Sequence, residues 1–79
     1  MKELLEFMVK ELVDSPDEVD ITEEQEGDKT IIFMLRVAEA DLGKVIGKKG
    51  RTANALRVVM RAASAKRGFS SIVKIVVFT

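Results

Sequence analysis

Residues 47 to 50 read Gly-Lys-Lys-Gly, and this is where the residue types of the chain first suggest chemistry. Glycine has no Cβ, so the backbone can turn sharply there and an anion can approach it closely. Lys48 and Lys49 put two cations at the tip of the turn. If a helix begins just after Gly50, its free N–H groups and the positive end of its dipole point toward the same place. Such a loop can hold a sugar–phosphate backbone, and it reads no base in doing so. A plain helix–helix turn with solvated lysines would use the same residues.

The surroundings of the loop favour the anion. From Lys44 to Arg67 there are eight cations (Lys44, Lys48, Lys49, Arg51, Arg57, Arg61, Lys66 and Arg67) and no carboxylate. The formal net charge is zero, but it is segregated: Met1 to Asp28 holds eleven acidic and two basic residues, Lys29 to Thr79 eleven basic and two acidic. Local potential, more than net charge, decides anion binding. Other chemistry is short of parts. Without His or Cys, the most adaptable acid–base group, the best nucleophile and the usual zinc ligands are missing, so neither catalysis nor a metal or other cofactor is expected. Gly43 to Lys48 superficially resembles a nucleotide phosphate loop, but Gly43 and Gly47 are one residue too close and Lys49 stands where that motif needs Ser or Thr.

The elements that must hold the loop follow from periodicity. Leu5, Met8, Val9 and Leu12 form one helical stripe, predicted to end near Asp14 because Pro16 disfavours helical angles at Ser15. Val19 and Ile21 alternate with acidic residues as an edge strand, and Gly27-Asp28 makes a turn. Lys29 to Val37 reads as a strand with Ile31, Phe33, Leu35 and Val37 on one side and Ile32, Met34 and Arg36 on the other. Both sets are apolar enough to be the buried one. Asp41 is placed to cap or open a short helix through Ile46. A longer helix runs from Arg51 to about Lys66, with Ala53, Leu56, Met60 and Ala63 buried, and Gly68 stops it. Ile72 to Phe78 is the last strand. The 79 residues make a single α+β domain, 1–79, in the order α-β-β-α-α-β, with three helices on one face of a three-stranded sheet.

Val45-Ile46-Gly47-Lys48-Lys49-Gly50-Arg51, entered from a strand through a short helix and followed by a long helix and a strand, resembles the core of K-homology (KH) domains. The helix and strand before that core resemble the type II, prokaryotic arrangement. The chain as a whole is similar to the small stand-alone bacterial KH proteins of the KhpA type. The resemblance implies single-stranded RNA as ligand, with Gly47, Lys48, Lys49 and Gly50 clamping about four nucleotides. It implies Val45 and Ile46 as the apolar floor on which bases rest, and Lys44 and Arg51 as flanking phosphate contacts. It implies an RNA chaperone or a post-transcriptional or ribosome-assembly factor that pairs with itself or with a larger KH-containing protein through the helix after the loop, where Ala55, Val58, Val59 and Ala62 lie beyond the core stripe; the apolar sheet face that the helices leave uncovered is the other candidate surface for self-association. One position departs from the pattern: the family places Ile three residues after the second glycine, and this chain has Ala53.

The remaining features have quieter explanations. Phe7, Phe33, Phe69 and Phe78 are expected in the core, as are Met8, Met34 and Met60, there or at an interface. The acidic run from Asp17 to Asp28 lacks the spacing of a calcium loop and reads as a solvated edge that resists strand addition. No apolar stretch approaches a membrane span, and the lack of cysteine suits a reducing cytoplasm. Alternatives to RNA binding are a protein-interaction adaptor of KH shape and a single-stranded DNA or helix-hairpin-helix-like DNA binder.

Overall fold

A computed structural model describes residues 1–77; the expectation for Phe78 lies outside them. The chain runs α1 (Lys2–Lys10), β1 (Asp20–Glu26), β2 (Thr30–Val37), α2 (Leu42–Ile46), α3 (Arg51–Ala65) and β3 (Ser70–Val77). Short 3₁₀ turns lie at Pro16–Glu18, Glu39–Asp41 and Lys48–Gly50. This is the expected α-β-β-α-α-β order. The sheet is mixed, in the order β1-β2-β3, with β1 antiparallel and β3 parallel to β2. No described helix is long and apolar enough to cross a membrane.

The central strand organises the core. Along β2, Ile31, Phe33, Leu35 and Val37 are buried while Thr30, Ile32, Met34 and Arg36 are half-buried. The helices therefore cover the face that carries the aromatic ring and three aliphatic side chains. They meet Leu5 and Val9 of α1, Val45 of α2, and Leu56 and Met60 of α3. Truncating a side chain such as Phe33 to alanine would cost about 3–5 kcal/mol, a large share of the stability of so small a domain. Across the sheet, Ile72 and Val76 remain 45% and 36% exposed, so the uncovered face is partly apolar, as the alternation requires.

β1 has little apolar content: only Ile21 is buried and the other six residues are exposed. It forms because every residue from Asp20 to Glu26 is in register with β2. Its position at the sheet edge lines that edge with Glu23, Glu24 and Glu26, which discourages addition of another strand.

Several expectations are corrected. α1 ends at Lys10, short of Asp14, and its last turns tighten: Leu12 N–H reaches the Val9 carbonyl at 2.9 Å. That change of pitch turns Val13 into the core and leaves Leu12 37% exposed. Phe7, expected in the core, is 65% exposed, because it lies on the side of α1 away from Leu5 and Val9. Phe33 is buried and Phe69 packs against the core. On α3 the fourth buried position is Ser64, and Ala63 is half-buried. Met60 to Ser64 is a four-residue step that continues the row straight down the helix, and Ser64 Oγ donates to Met1 Sδ at 3.6 Å. The Ser64 carbonyl accepts from Arg67 and Phe69 N–H as the chain turns through Gly68.

Candidate nucleic-acid interface

The loop between α2 and α3 is built from backbone that ordinary residues avoid. Gly47 adopts φ 75°, ψ 176°, a region essentially restricted to glycine. Gly50 adopts φ 76°, ψ 12°, and Lys49 between them is left-handed at φ 57°, ψ 25°. Gly47 N–H closes α2 on the Gly43 carbonyl at 2.8 Å, and Gly50 N–H returns to the Gly47 carbonyl at 3.2 Å. A Cβ on Gly47 would lie 2.2 Å from Thr52 Oγ1 and 2.9 Å from Thr52 N. Glycine is thus required at 47 both by its dihedrals and by the first turn of α3 packed against it. Gly50 has open space around it.

This geometry leaves Lys48 and Lys49 exposed at the tip, with Arg51 exposed at the first position of α3. No side chain caps α3, so the N–H groups of its first turn face the loop without a side-chain acceptor. Among the described residues, none of Lys48, Lys49, Arg51, Arg57 and Arg61 is paired with a carboxylate; the ion pairs present involve the N-terminus, Lys10 and Lys44. The loop and the helix after it therefore present positive charge that the protein does not neutralise.

The flanking residues behave differently from one another. Lys44 is already engaged: its ammonium is ion-paired and hydrogen-bonded to Asp14, and stands 3.8 Å from Asp41 Oδ1. The hydrogen bond to Asp14 holds the Lys44 ammonium above its ordinary pKa. Val45 is wholly buried in the core, while Ile46 is 37% exposed. Of the two residues expected to form the groove floor, Ile46 therefore reaches the surface and Val45 packs beneath it. Ala53, where the motif departs, is 2% exposed, so its short side chain leaves no opening to solvent.

Asp41 has a role that its place in the sequence did not disclose. It precedes α2 but makes no capping bond there. Its carboxylate is buried, and it accepts from Asp14 N–H at 3.1 Å and from Ser15 N–H at 3.0 Å. These donors lie just beyond α1, where the chain has left the helical path and its N–H groups need another acceptor. Asp41 thus ties the end of α1 to the start of α2, and with Lys44 and Asp14 it fixes the platform under the loop.

Two further features emerge only from packing. Arg57 is half-buried between α3 and edge strand β3, with Nε donating to the Val73 carbonyl at 3.3 Å. Sequence showed Arg57 only as one cation of a run. On the opposite flank of α3, a groove of about 350 Å³ opens against α1, lined chiefly by Phe7, Met8, Leu12, Thr52, Ala55 and Val59. The apolar residues of α3 outside its buried stripe were the available signal for this groove. Among the described residues no cluster of carboxylates could hold a metal ion.

Comparison with known proteins agrees with this architecture. A family model described as "KhpA/KhpB, KH domain" matches residues 2–75. A protein named "RNA-binding protein KhpA" from Clostridium acetobutylicum is 50% identical over 76 residues, 96% of this chain and all of the relative. Proteins of the same name from Aquifex aeolicus and Borreliella burgdorferi are 52% and 50% identical over 68 and 64 residues, covering 86% and 81% of this chain and 85% and 77% of the relatives. No solved structure gives a significant match. Matched over nearly its whole length, and with the glycine loop set between α2 and α3 on a three-stranded sheet, the chain belongs to the KhpA/KhpB family of KH domains.

Proposed function

We propose that this protein binds single-stranded RNA in the cytoplasm without catalysing a reaction, gripping the backbone of about four nucleotides with the Gly47–Gly50 loop. The observation that carries the proposal is the loop itself. Two positive-φ glycines bracket exposed lysines at an uncapped helix start, and the protein supplies these cations with no anion of its own. Three curated relatives are named for RNA binding, which favours RNA over single-stranded DNA. Lys48, Lys49 and Arg51 make the phosphate contacts, and Ile46 offers an apolar rest for a base. Lys44 contributes less than its place beside the loop implies, because Asp14 and Asp41 already hold it. A clamp of this size, reading backbone before base, suits an RNA chaperone or an assembly factor. Replacing Lys48 and Lys49 together by Asp turns two attractions into two repulsions at exposed positions. The double variant should fold normally and lose binding to a fluorescent RNA octamer in anisotropy titrations. Parent-like binding at the same salt concentration would refute the clamp.

A protein contact accompanies the RNA contact. The groove between α1 and α3 exposes Phe7, Leu12 and Val59 by 65%, 37% and 40%. This concentration of apolar surface on one flank of α3 is of the kind that marks a protein interface. It favours self-association, or pairing with a larger KH-containing protein, through α1 and α3.

A further inference from the structure

The clamp leaves one neighbouring cation out of use. Lys44 lies three residues before Gly47, and the helical path of α2 continues that far, since Gly47 N–H closes on the Gly43 carbonyl. Residues three apart share a side of a helix, so Lys44 stands beneath the loop, about 5 Å from Gly47 along the axis at 1.5 Å per residue. In charge and position it belongs with Lys48, Lys49 and Arg51. Yet of the eight cations from Lys44 to Arg67, it alone is ion-paired among the described residues. Its two carboxylate neighbours are unlike. Asp41 is buried with both oxygens taken by the Asp14 and Ser15 N–H groups, and at 3.8 Å it attracts Lys44 without bonding it. The Asp14 side chain is 77% exposed, and its carboxylate has no partner besides Lys44 among the described residues.

Building on the RNA-clamp reading, we infer that Asp14 is a built-in competitor of the RNA backbone: it occupies Lys44 in the free protein, and a phosphate reaches that ammonium only by displacing it. Asp14 thereby holds the affinity of the clamp below what the surrounding cations would give. Two carboxylate oxygens offered to an ammonium in solvent do what two phosphate oxygens would do there. An exposed ion pair is worth little, because water solvates either charge once they part. Exchange is therefore open to RNA but adds almost nothing: the phosphate gains Lys44, Asp14 loses it, and an unpaired carboxylate is left beside the polyanion. The hydrogen bond from Lys44 to Asp14 also holds the ammonium above its ordinary pKa, so Asp14 governs the availability of this cation and leaves its charge intact. The competitor is fixed in place. Asp41 binds the Asp14 N–H at 3.1 Å, which anchors the backbone from which the carboxylate reaches Lys44.

The test titrates a fluorescent RNA octamer with the full chain at several salt concentrations, following anisotropy. Asp14→Asn keeps the shape and removes the charge, so it should bind about threefold more tightly at low salt. Its log–log salt slope should steepen by about 0.7, the value of one further phosphate contact on a single strand. Lys44→Ala in the parent should cost less than about twofold, and added to Asp14→Asn it should cancel the gain. Asp17→Asn changes net charge equally at an exposed carboxylate with no ion pair among the described residues, and it should leave affinity unchanged. If Asp14 only ties α1 to α2, Asp14→Asn melts at a lower temperature and gains no affinity, which overturns the inference. A gain that persists without Lys44, an equal gain from Asp17→Asn, or a loss from Lys44→Ala alone as large as that from Lys48→Ala would each overturn it too. The Lys48→Asp, Lys49→Asp protein separates this from the clamp. If it loses binding while Asp14→Asn gains nothing, only the competitor role fails; if it binds like the parent, the clamp fails.

Discussion

Gly47→Ala, set against Gly50→Ala, tests whether the loop is held by sterics or merely tolerates glycine. Both glycines have positive φ, at 75° and 76°, so composition alone predicts equal penalties. Their surroundings differ. At Gly50 an added methyl group meets nothing within 4 Å, and the cost is the left-handed backbone alone, about 1 kcal/mol. At Gly47 the backbone lies in a region that costs a side-chain-bearing residue about 1–3 kcal/mol. There the methyl would also sit 2.2 Å from Thr52 Oγ1, 2.7 Å from its Cβ and 2.9 Å from its backbone nitrogen. The hydroxyl can rotate away, but the nitrogen belongs to the first turn of α3 and cannot move without it. The total is about 3 kcal/mol or more, against an overall stability of about 4–12 kcal/mol for a domain of this length. Thermal unfolding followed by far-UV circular dichroism measures both variants. Gly50→Ala should lower the melting temperature by about 4–8 °C and Gly47→Ala by at least about 12 °C. Adding Thr52→Ala should recover only a small part of the Gly47 loss, since the Cβ and backbone contacts persist. Equal losses at the two glycines, or full rescue by Thr52→Ala, would refute the argument that α3 packing dictates residue 47.

Other outcomes follow from the same geometry. Asp41→Ala removes the acceptor of two backbone amides and should cost about 2–3 kcal/mol; hydrogen exchange at Asp14 and Ser15 should accelerate, and unchanged protection there would show that the carboxylate is dispensable. Phe7→Asp, at a position 65% exposed, should change stability by less than about 0.5 kcal/mol yet abolish self-association in sedimentation equilibrium. A parent that sediments at 8.8 kDa throughout the micromolar range would remove the case for a homodimer. With Lys44 already paired, three or four cations remain for phosphate contacts, so RNA affinity should fall with salt at a log–log slope of about −2 to −3. A slope near zero would mean that these cations are only solvated surface.

What the sequence by itself determined was everything carried by short-range pattern. The alternation from Lys29 to Val37, the helical spacing of Ala53, Leu56 and Met60, and the glycines bracketing two lysines each depend on neighbours within a few positions. The element order and the KH resemblance were therefore legible. Tertiary structure decided whatever depends on residues distant in the chain. Both faces of β2 are apolar in sequence, and only the packing of all three helices on one side chose Ile31, Phe33, Leu35 and Val37 for the core. Asp41 looked like a helix cap because that is the local use of an aspartate; its true partners are amides 26 and 27 residues away. Lys44 looked like a free cation beside the loop; the fold brings Asp14, 30 residues earlier, into an ion pair with it. Val45 and Ile46 are adjacent and chemically alike, yet a helix turns successive side chains by about 100°, sending one into the core and the other to the surface. Phe7 and Arg57 gained their significance in the same way, one from the groove that α3 forms with α1 and the other from the edge carbonyl of Val73. Local periodicity says that a residue lies on a face; it takes the packed neighbour to say what that face meets.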